Sequence, residues 1–155
     1  PIAKPPSTIF QKLWESSTFH ICADGGANRL YEATKDILTD DDNNHNHNHN
    51  HNHNPYIPNA IRGDLDSLQP HVREYYASKH VLIEKDPCQD NNDLDKALQK
   101  IVDPSSINCD QVIVYGAFGG RFDQEMASFQ ALYKWADTFQ YRMWLYSDET
   151  SAVLI

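Results

Sequence analysis

The feature that most constrains the fold is a repeated alternation of short apolar runs with segments of helical periodicity. The first helical segment has a predicted cap at Ser7 and places Phe10 and Trp14 on one stripe. Strands that alternate with helices build a parallel sheet covered on both faces, with right-handed crossovers. We therefore predict an α/β fold, a three-layer α/β/α arrangement with a mostly parallel sheet. The predicted strands lie in TFHICA, a run ending at Arg62, HVLIE, DQVIVYG, YRMWLYS and SAVLI.

Local signals also predict where several helices begin. Pro70 is placed in the first turn of a helix over residues 70–79, where its missing N–H is tolerated. Either Asn92 or Asp93 is predicted to cap the helix that follows. The last long helix is expected to carry apolar side chains on one face, namely Phe122, Met126, Phe129, Leu132, Tyr133 and Ala136.

Glycine and aspartate clusters follow three of the predicted strands, at residues 24–26, 63–66 and 116–123. In open α/β sheets, ligands bind beyond the carboxyl ends of the strands. We therefore expect these separate clusters to form one site along one edge of the sheet.

The stretch RGDLDSL places two carboxylates, Asp64 and Asp66, directly after a strand. On an extended backbone alternate side chains share a face, so the two carboxylates would point the same way and Leu65 would point inward. Such a pair suits Mg²⁺, which takes one or two protein carboxylates together with phosphate oxygens. A solvated turn explains the same spacing, and both interpretations stay open.

Two further stretches combine charge with a helix start. DPCQDNNDLDKAL, residues 86–98, gathers more carboxylates than capping requires, and Lys96 is a candidate basic partner for them. YGAFGGRFDQ, residues 115–124, places glycines at a strand end with Arg121 just after them. Backbone amides in such a loop and a guanidinium both suit a phosphate, although a tight turn is an equal alternative.

Composition excludes some classes of function. Thirteen basic and twenty-two acidic residues give a net charge of −9, which opposes binding to a nucleic-acid backbone. The three cysteines are widely spaced and form no C-x-x-C pair, so a disulfide framework or a zinc site is not indicated and a reducing compartment is expected. No run is long enough for a membrane span, and no secretory leader is recognised.

The tract NNHNHNHNHNHN, residues 43–54, interrupts the pattern of strands and helices. Its imidazoles suit transition metals, but a polar low-complexity tract between folded elements is typical of a disordered insertion. We predict such an insertion over residues 40–55.

Four segments together resemble the thiamine pyrophosphokinase family in order and spacing: CADGGANRLY, RGDLDSL, DPCQDNNDLDKAL and GGRFDQEMAS. The resemblance implies that residues 1–155 are the catalytic, ATP-binding domain of a cytoplasmic enzyme. That enzyme would transfer pyrophosphate from ATP to thiamine with Mg²⁺, giving thiamine diphosphate and AMP. The family's first strand would precede Pro1, and its C-terminal β-sandwich, which contributes to thiamine binding across a homodimer, would begin near SAVLI and lie outside this chain.

The resemblance also implies roles for individual residues. Asp64, Asp66 and Asp93 correspond to acidic metal-site residues, and with Arg121 they form the predicted catalytic set. Asn92 and Asp95 stand where the family commonly has threonine, which puts the local hydrogen bonds around Asp93 in doubt. The predicted ATP and substrate contacts are Asp24, Gly25, Gly26, Asn28, Gln89, Asp90, Lys96, Gly116, Gly119, Gly120 and Asp123.

Two other functions use the same residues. A Mg²⁺-dependent nucleotide hydrolase would share the carboxylates and glycine loops but use water as the acceptor. A non-catalytic nucleotide-binding or metal-binding module would use the histidine tract for Ni²⁺, Cu²⁺ or Zn²⁺. Retention of Asp64, Asp66, Asp93 and Arg121 argues against loss of catalysis.

Overall fold

The computed structural model describes residues 2–38, 54–102 and 109–155. Residues 40–53 of the predicted insertion lie outside these ranges, so the insertion stays a prediction there. Its predicted end at residue 55 is wrong, because Asn54 is buried and its side chain hydrogen-bonds Tyr56 N and Tyr75. The elements in chain order are α1 Thr8–Ser16, β1 Ile21–Ala23, α2 Gly26–Thr34, a 3₁₀ turn Lys35–Leu38, β2 Ala60–Gly63, α3 Pro70–Ser78, β3 Leu82–Lys85, α4 Asp93–Val102, β4 Val112–Tyr115, α5 Phe122–Lys134, β5 Met143–Tyr146 and β6 Ser151–Val153.

The strands form two sheets of three strands within the described part of the chain. One has the order β1-β2-β3 with all strands parallel, and the other has the order β4-β5-β6 with only the β5–β6 pair antiparallel. The predicted α/β class and the mostly parallel pairing are confirmed. The expected single sheet is not continuous in these residues, because β1 and β4 are not paired with each other.

The helix starts follow the local signals. Phe10 N donates to Ser7 Oγ at 3.1 Å, which confirms the predicted cap of α1. Pro70 is the first residue of α3. Asp95 N donates to Asn92 Oδ1 at 2.8 Å, so Asn92 rather than Asp93 caps α4.

Helix α4 joins the two halves of the domain. It contacts both β1 and β2 of the first sheet. Its side chain Leu98 is buried in the core of the second sheet with Val112, Leu132 and Leu145. Asp95 adds a polar link, since its carboxylate accepts from Trp135 Nε1 at 2.7 Å just beyond α5. These contacts fix the position of the start of α4 relative to the carboxyl ends of the strands.

The apolar stripe predicted for α5 is not its buried face. Phe122 is 73% exposed and Tyr133 is 69% exposed, whereas Ser128 and Ala131 are buried. Of the predicted set only Leu132 and Ala136 belong to the buried residues. The helix presents two apolar stripes, and the packed one carries the small residues that let it approach the second sheet.

Cys22, Cys88 and Cys109 are all free. In the described ranges, every helix is too short or too polar to cross a membrane.

Candidate active site

Three carboxylates converge where the first sheet ends. Asp24 directly follows β1 and Asp64 directly follows β2, and these strands are parallel neighbours with Ala23 opposite Arg62. One oxygen each from Asp24, Asp64 and Asp66 lies within 4.8 Å of the other two. Carboxylates at this distance repel one another unless a cation lies between them. We call this group the aspartate cluster.

Asp24 is the buried member of the cluster, with 2% of its surface exposed. Its Oδ2 accepts from Ser67 N at 3.2 Å, while its Oδ1 is buried and accepts from no described residue. Burial raises the pKa of Asp24, and the charges of Asp93 and Asp64 raise it further. A buried carboxylate oxygen without a described partner, on a member of an acidic cluster, fits a metal ion, because hard cations supply the missing partner.

Asp64 and Asp66 lie on a turn rather than on an extended strand, which corrects the sequence prediction. Leu65 has a φ of 62°, and Asp66 N donates to Asp64 Oδ1 at 3.1 Å. This amide is the main cause that lowers the pKa of Asp64. The turn still brings both carboxylates to one site, since one oxygen of each lies within 4.8 Å of the other. Leu65 packs against the core, as predicted.

Gly63 lets the cluster approach the start of α4. A Cβ placed on this residue would lie 2.7 Å from Asp24 Cβ and 3.0 Å from Asp93 Oδ1. Any side chain at position 63 would therefore separate the acidic residues.

Lys96 is the basic partner predicted for the acidic stretch. Its side chain is 2% exposed, and Nζ lies 3.3 Å from Asp93 Oδ1 and 3.8 Å from Asp64 Oδ2. Asp93 also accepts a long bond of 3.4 Å from Asp64 N. Asp93 therefore lies beside the aspartate cluster and holds Lys96 and the Asp64 backbone, while Asp24 contributes the third clustered carboxylate.

The loop over residues 116–121, here the glycine loop, has backbone amides that already bind a carboxylate. Gly116 and Gly119 have φ values of 82° and 78°, which favour glycine. Gly119 N and Gly120 N donate to one oxygen of Glu125 at 2.8 and 3.2 Å. Glu125 was not predicted from the sequence. Its place in the first turn of α5, a few residues beyond a glycine pair, was the available signal.

Arg121 lies at the end of the glycine loop and is largely exposed. Its Nε and one terminal nitrogen donate to the two oxygens of Asp123 at 3.0 and 2.5 Å. The pair lowers the pKa of Asp123 through these hydrogen bonds. Both side chains are more than half exposed, so a ligand anion can replace the Asp123 carboxylate at low cost.

Of the other residues predicted to contact the substrate, some lie beside the aspartate cluster and others lie in an exposed loop. Asn28 Nδ2 donates to Ser67 O at 2.7 Å and Asn28 Oδ1 accepts from Gln69 N at 3.1 Å, so Asn28 holds the turn of the aspartate cluster against α2. Gly25 and Gly26 form the start of α2. Gln89 and Asp90 are exposed in the loop before α4 and give no oxygen to the cluster.

The residue that departs from the family pattern at position 95 has a packing role. Asp95 is 6% exposed and accepts from Lys134 Nζ at 2.9 Å as well as from Trp135. It therefore links α4 to the end of α5 and does not contribute to the aspartate cluster.

A cleft of about 900 Å³ connects these groups. Asp24, Asp93, Gly116, Gly120 and Arg121 all line it, so Asp24 of the aspartate cluster and the glycine loop border the same space. Carboxylate oxygens together with amide and guanidinium donors around one cleft suit a metal-bound polyphosphate.

Comparisons with known proteins identify the family of this chain. Residues 10–145 match the family described as "Thiamin pyrophosphokinase, catalytic domain". Thiamine pyrophosphokinase 1 of Oryza sativa subsp. japonica is 34% identical over 147 residues, covering 92% of this chain and 52% of the relative. Thiamine pyrophosphokinase 1 of Arabidopsis thaliana is 35% identical over 142 residues, covering 88% and 49%. The chain therefore spans about half the length of these relatives.

Solved structures support the fold. The crystal structure of yeast thiamin pyrophosphokinase superposes with a TM-score of 0.71 at 25% identity, covering 95% of this chain and 56% of that one. Thiamin pyrophosphokinase from Candida albicans superposes with a TM-score of 0.64 at 25% identity, covering 94% and 55%.

Proposed function

This chain belongs to the thiamin pyrophosphokinase catalytic-domain family, and on that premise we propose that its protein transfers pyrophosphate from ATP to thiamine, giving thiamine diphosphate and AMP. The observation that carries the proposal is that Asp24 of the aspartate cluster, Asp93 and the glycine loop line one cleft. The resemblance noted in the four sequence segments is confirmed by the family match.

The aspartate cluster would hold Mg²⁺ through Asp24, Asp64 and Asp66. The unpaired Oδ1 of Asp24 supports this assignment, because an oxygen left without a donor in a buried site is the group that a cation would satisfy. Bound Mg²⁺ would neutralise charge on the phosphates as the bond to the leaving group breaks. Asp93 remains a proposed member of the site, and its contacts with Lys96 and Asp64 N favour an orienting role.

The glycine loop and Arg121 would bind the phosphates of ATP. Gly119 N and Gly120 N both donate to one carboxylate oxygen of Glu125, and this shared acceptor supports the proposal that they would donate to a phosphate oxygen. We infer that Glu125 and Asp123 are displaced when the nucleotide binds. Gln89 and Asp90 are proposed contacts that would require the loop before α4 to close.

Transfer to an alcohol depends mainly on positioning, because the reaction needs little covalent chemistry from the protein. Lys96 lies between Asp93 and Asp64 and would fix the positions of these two carboxylates and reduce the net negative charge around them. The remainder of the thiamine site is proposed to lie in the part of the full-length protein outside these residues. We further propose a cytoplasmic homodimer with ATP and thiamine as its substrates.

The decisive experiment incubates the full-length protein with ATP, Mg²⁺ and thiamine and identifies the products. AMP and thiamine diphosphate formed in equal amounts would support the proposal. Nucleotide hydrolysis at the same rate without thiamine would instead establish a hydrolase, and nucleotide binding without turnover would establish a binding module. A parallel reaction with EDTA controls for the metal.

A further inference from the structure

The three carboxylates of the aspartate cluster share one pattern of hydrogen bonding. Asp24 Oδ2 accepts from Ser67 N at 3.2 Å, and Asp66 Oδ1 accepts from Ser67 Oγ at 3.0 Å. Asp64 Oδ1 accepts from Asp66 N at 3.1 Å. Residues 66–67 therefore bind one oxygen of each carboxylate, although Asp24 follows β1 and the other two aspartates follow β2.

The second oxygen of each carboxylate has no hydrogen bond within the described part of the chain. Asp24 Oδ1 is buried without a donor. Asp66 is bound through Oδ1, which leaves Oδ2. Asp64 Oδ2 lies 3.8 Å from Lys96 Nζ, which is longer than a hydrogen bond. A carboxylate that binds a fixed donor through one oxygen presents the other oxygen in a defined direction, and metal ligands in proteins are commonly oriented in this way.

Ser67 is the common donor to two members of the cluster. It uses its backbone amide for Asp24 and its side-chain hydroxyl for Asp66. Asp24 is 2% exposed, so packing also fixes its side chain, whereas Asp66 is exposed. The hydroxyl of Ser67 therefore restricts a carboxylate that packing leaves free to rotate.

Ser67 is itself held by helix α2. Asn28 Nδ2 donates to Ser67 O at 2.7 Å, and Asn28 Oδ1 accepts from Gln69 N at 3.1 Å. A Cβ built on Gly25, just before α2, would lie 3.5 Å from Ser67 Cβ, so the backbone at Gly25 lies close to the serine. Ser67 is exposed, and these contacts rather than burial fix its position.

We propose that Ser67 is a positioning residue for the metal site, and that its amide and hydroxyl orient Asp24 and Asp66 so that their second oxygens bind one divalent cation. The inference rests on the metal site of the proposed function and adds a residue that was not predicted from the sequence. The buried Asp24 Oδ1 is the group that a cation would satisfy. Residues that hydrogen-bond a metal ligand change metal affinity by about 10- to 100-fold when they are altered.

Mn²⁺ binding to the full-length protein without nucleotide tests the proposal. Mn²⁺ suits the same oxygen ligands as Mg²⁺, and the electron paramagnetic resonance signal of free Mn²⁺ falls as the ion binds. Ser67→Ala removes the bond to Asp66 and is expected to raise the Kd for Mn²⁺ about 10-fold. Ser67→Thr keeps the hydroxyl and should bind Mn²⁺ nearly as well as the unmodified protein. Ser78→Ala is the matched control, since this exposed serine donates to Tyr75 O at 2.7 Å at the end of α3.

Urea unfolding in EDTA separates this role from a purely structural one. Ser67→Ala and Ser78→Ala are expected to have similar stability without metal, because each loses one exposed hydroxyl. Unchanged Mn²⁺ affinity in Ser67→Ala, with or without a loss of stability in EDTA, would overturn the proposal. Equal losses of Mn²⁺ affinity in Ser67→Ala and Ser67→Thr would overturn it as well, since the hydroxyl would not be the cause.

The same measurements distinguish this inference from the proposed function. Absence of Mn²⁺ binding by the unmodified protein would overturn the metal site and the role of Ser67 together. Weaker Mn²⁺ binding in Ser67→Ala, in a protein that forms no thiamine diphosphate, would refute the proposed function and support the role of Ser67. Thiamine diphosphate formation together with unchanged Mn²⁺ affinity in Ser67→Ala would support the proposed function and overturn the role of Ser67.

Discussion

The ammonium of Lys96 lies 3.3 Å from the carboxylate of Asp93, one turn away on the same helix, and only 2% of the lysine side chain is exposed. A buried lysine requires anionic partners because its charge has lost most of its hydration. Asp64, at 3.8 Å, is the second partner and comes from the first sheet. The lysine therefore couples the start of α4 to the turn of the aspartate cluster.

Lys96→Met is expected to impair both stability and turnover. Removal of the ammonium leaves the carboxylates of Asp93 and Asp64 without their basic partner and close to a third carboxylate. Loss of one partner of a buried ion pair costs about 3–5 kcal/mol. Because Asp93 and Asp64 are partly exposed, we expect about 1–3 kcal/mol here. Urea unfolding measures the loss. Lys100→Met, which removes a more exposed pair with Glu84, is the control and should cost less.

Asp64→Asn and Asp66→Asn are each expected to lower turnover by orders of magnitude while the circular dichroism spectrum stays unchanged. Each substitution removes a charge from the proposed metal site at a partly or fully exposed position, so the core is not disturbed. Asp137→Asn, at an exposed site beyond α5, is the matched control. Turnover close to that of the unmodified protein at saturating Mg²⁺ would remove the altered carboxylate from the metal site.

Gly63→Ala is expected to move the acidic side chains around Gly63 apart without changing the charge of any residue. The added Cβ would meet Asp24 Cβ at 2.7 Å, and overpacking of this kind costs about 1–3 kcal/mol. We expect lower stability together with weaker Mg²⁺ binding measured by calorimetry. Gly26→Ala, where an added Cβ meets nothing within 4 Å, should leave both unchanged. Unaltered Mg²⁺ affinity in Gly63→Ala would show that the close approach of Asp24 and Asp93 to the Gly63 backbone is not required for metal binding.

Asp86 is expected to contribute to stability in a pH-dependent way. Its pKa is lowered by the Cys88 amide and then by Arg62. A carboxyl group with a depressed native pKa stabilises the fold above its unfolded pKa, about 3.9, and loses this contribution as the pH falls through the native value. The stability gap between the unmodified protein and Asp86→Asn should therefore be present at pH 7 and shrink below about pH 4. Urea titrations at both pH values measure it. A gap that is constant with pH would show that the charge is not the cause.

Deletion of residues 43–53 is expected to leave Tm and turnover nearly unchanged, with Asn54 kept because it is buried and its side chain bonds Tyr56 N and Tyr75 Oη. This prediction rests on composition, since an asparagine and histidine tract offers no apolar surface to a core. Thermal melts and product assays on the deleted and complete full-length proteins measure both quantities. A large fall in either would show that the tract contributes to the folded protein.

Local signals in the sequence predict most of the helices and strands and the edge on which the candidate site lies. The cap at Ser7, the first-turn position of Pro70 and the apolar runs are local signals, because hydrogen bonding and periodicity within a few residues produce them. The acidic clusters after β1 and β2 lie side by side because these strands pair in parallel, and the glycine loop after β4 borders the same cleft. The family resemblance rested on these same local segments, and it was confirmed.

Tertiary structure alone decided which of these residues meet. Asp24 and Asp64 are distant in sequence, and only the pairing of β1 with β2, together with the absence of a side chain at Gly63, brings their oxygens together. Leu65 has a positive φ in place of the extended conformation that the sequence predicts. The backbone conformation of a turn residue depends on what its neighbours pack against. Likewise α5 has two apolar stripes, and packing against the second sheet selected the one with smaller side chains. Periodicity specifies that an apolar face exists, whereas the partner surface decides which face is buried.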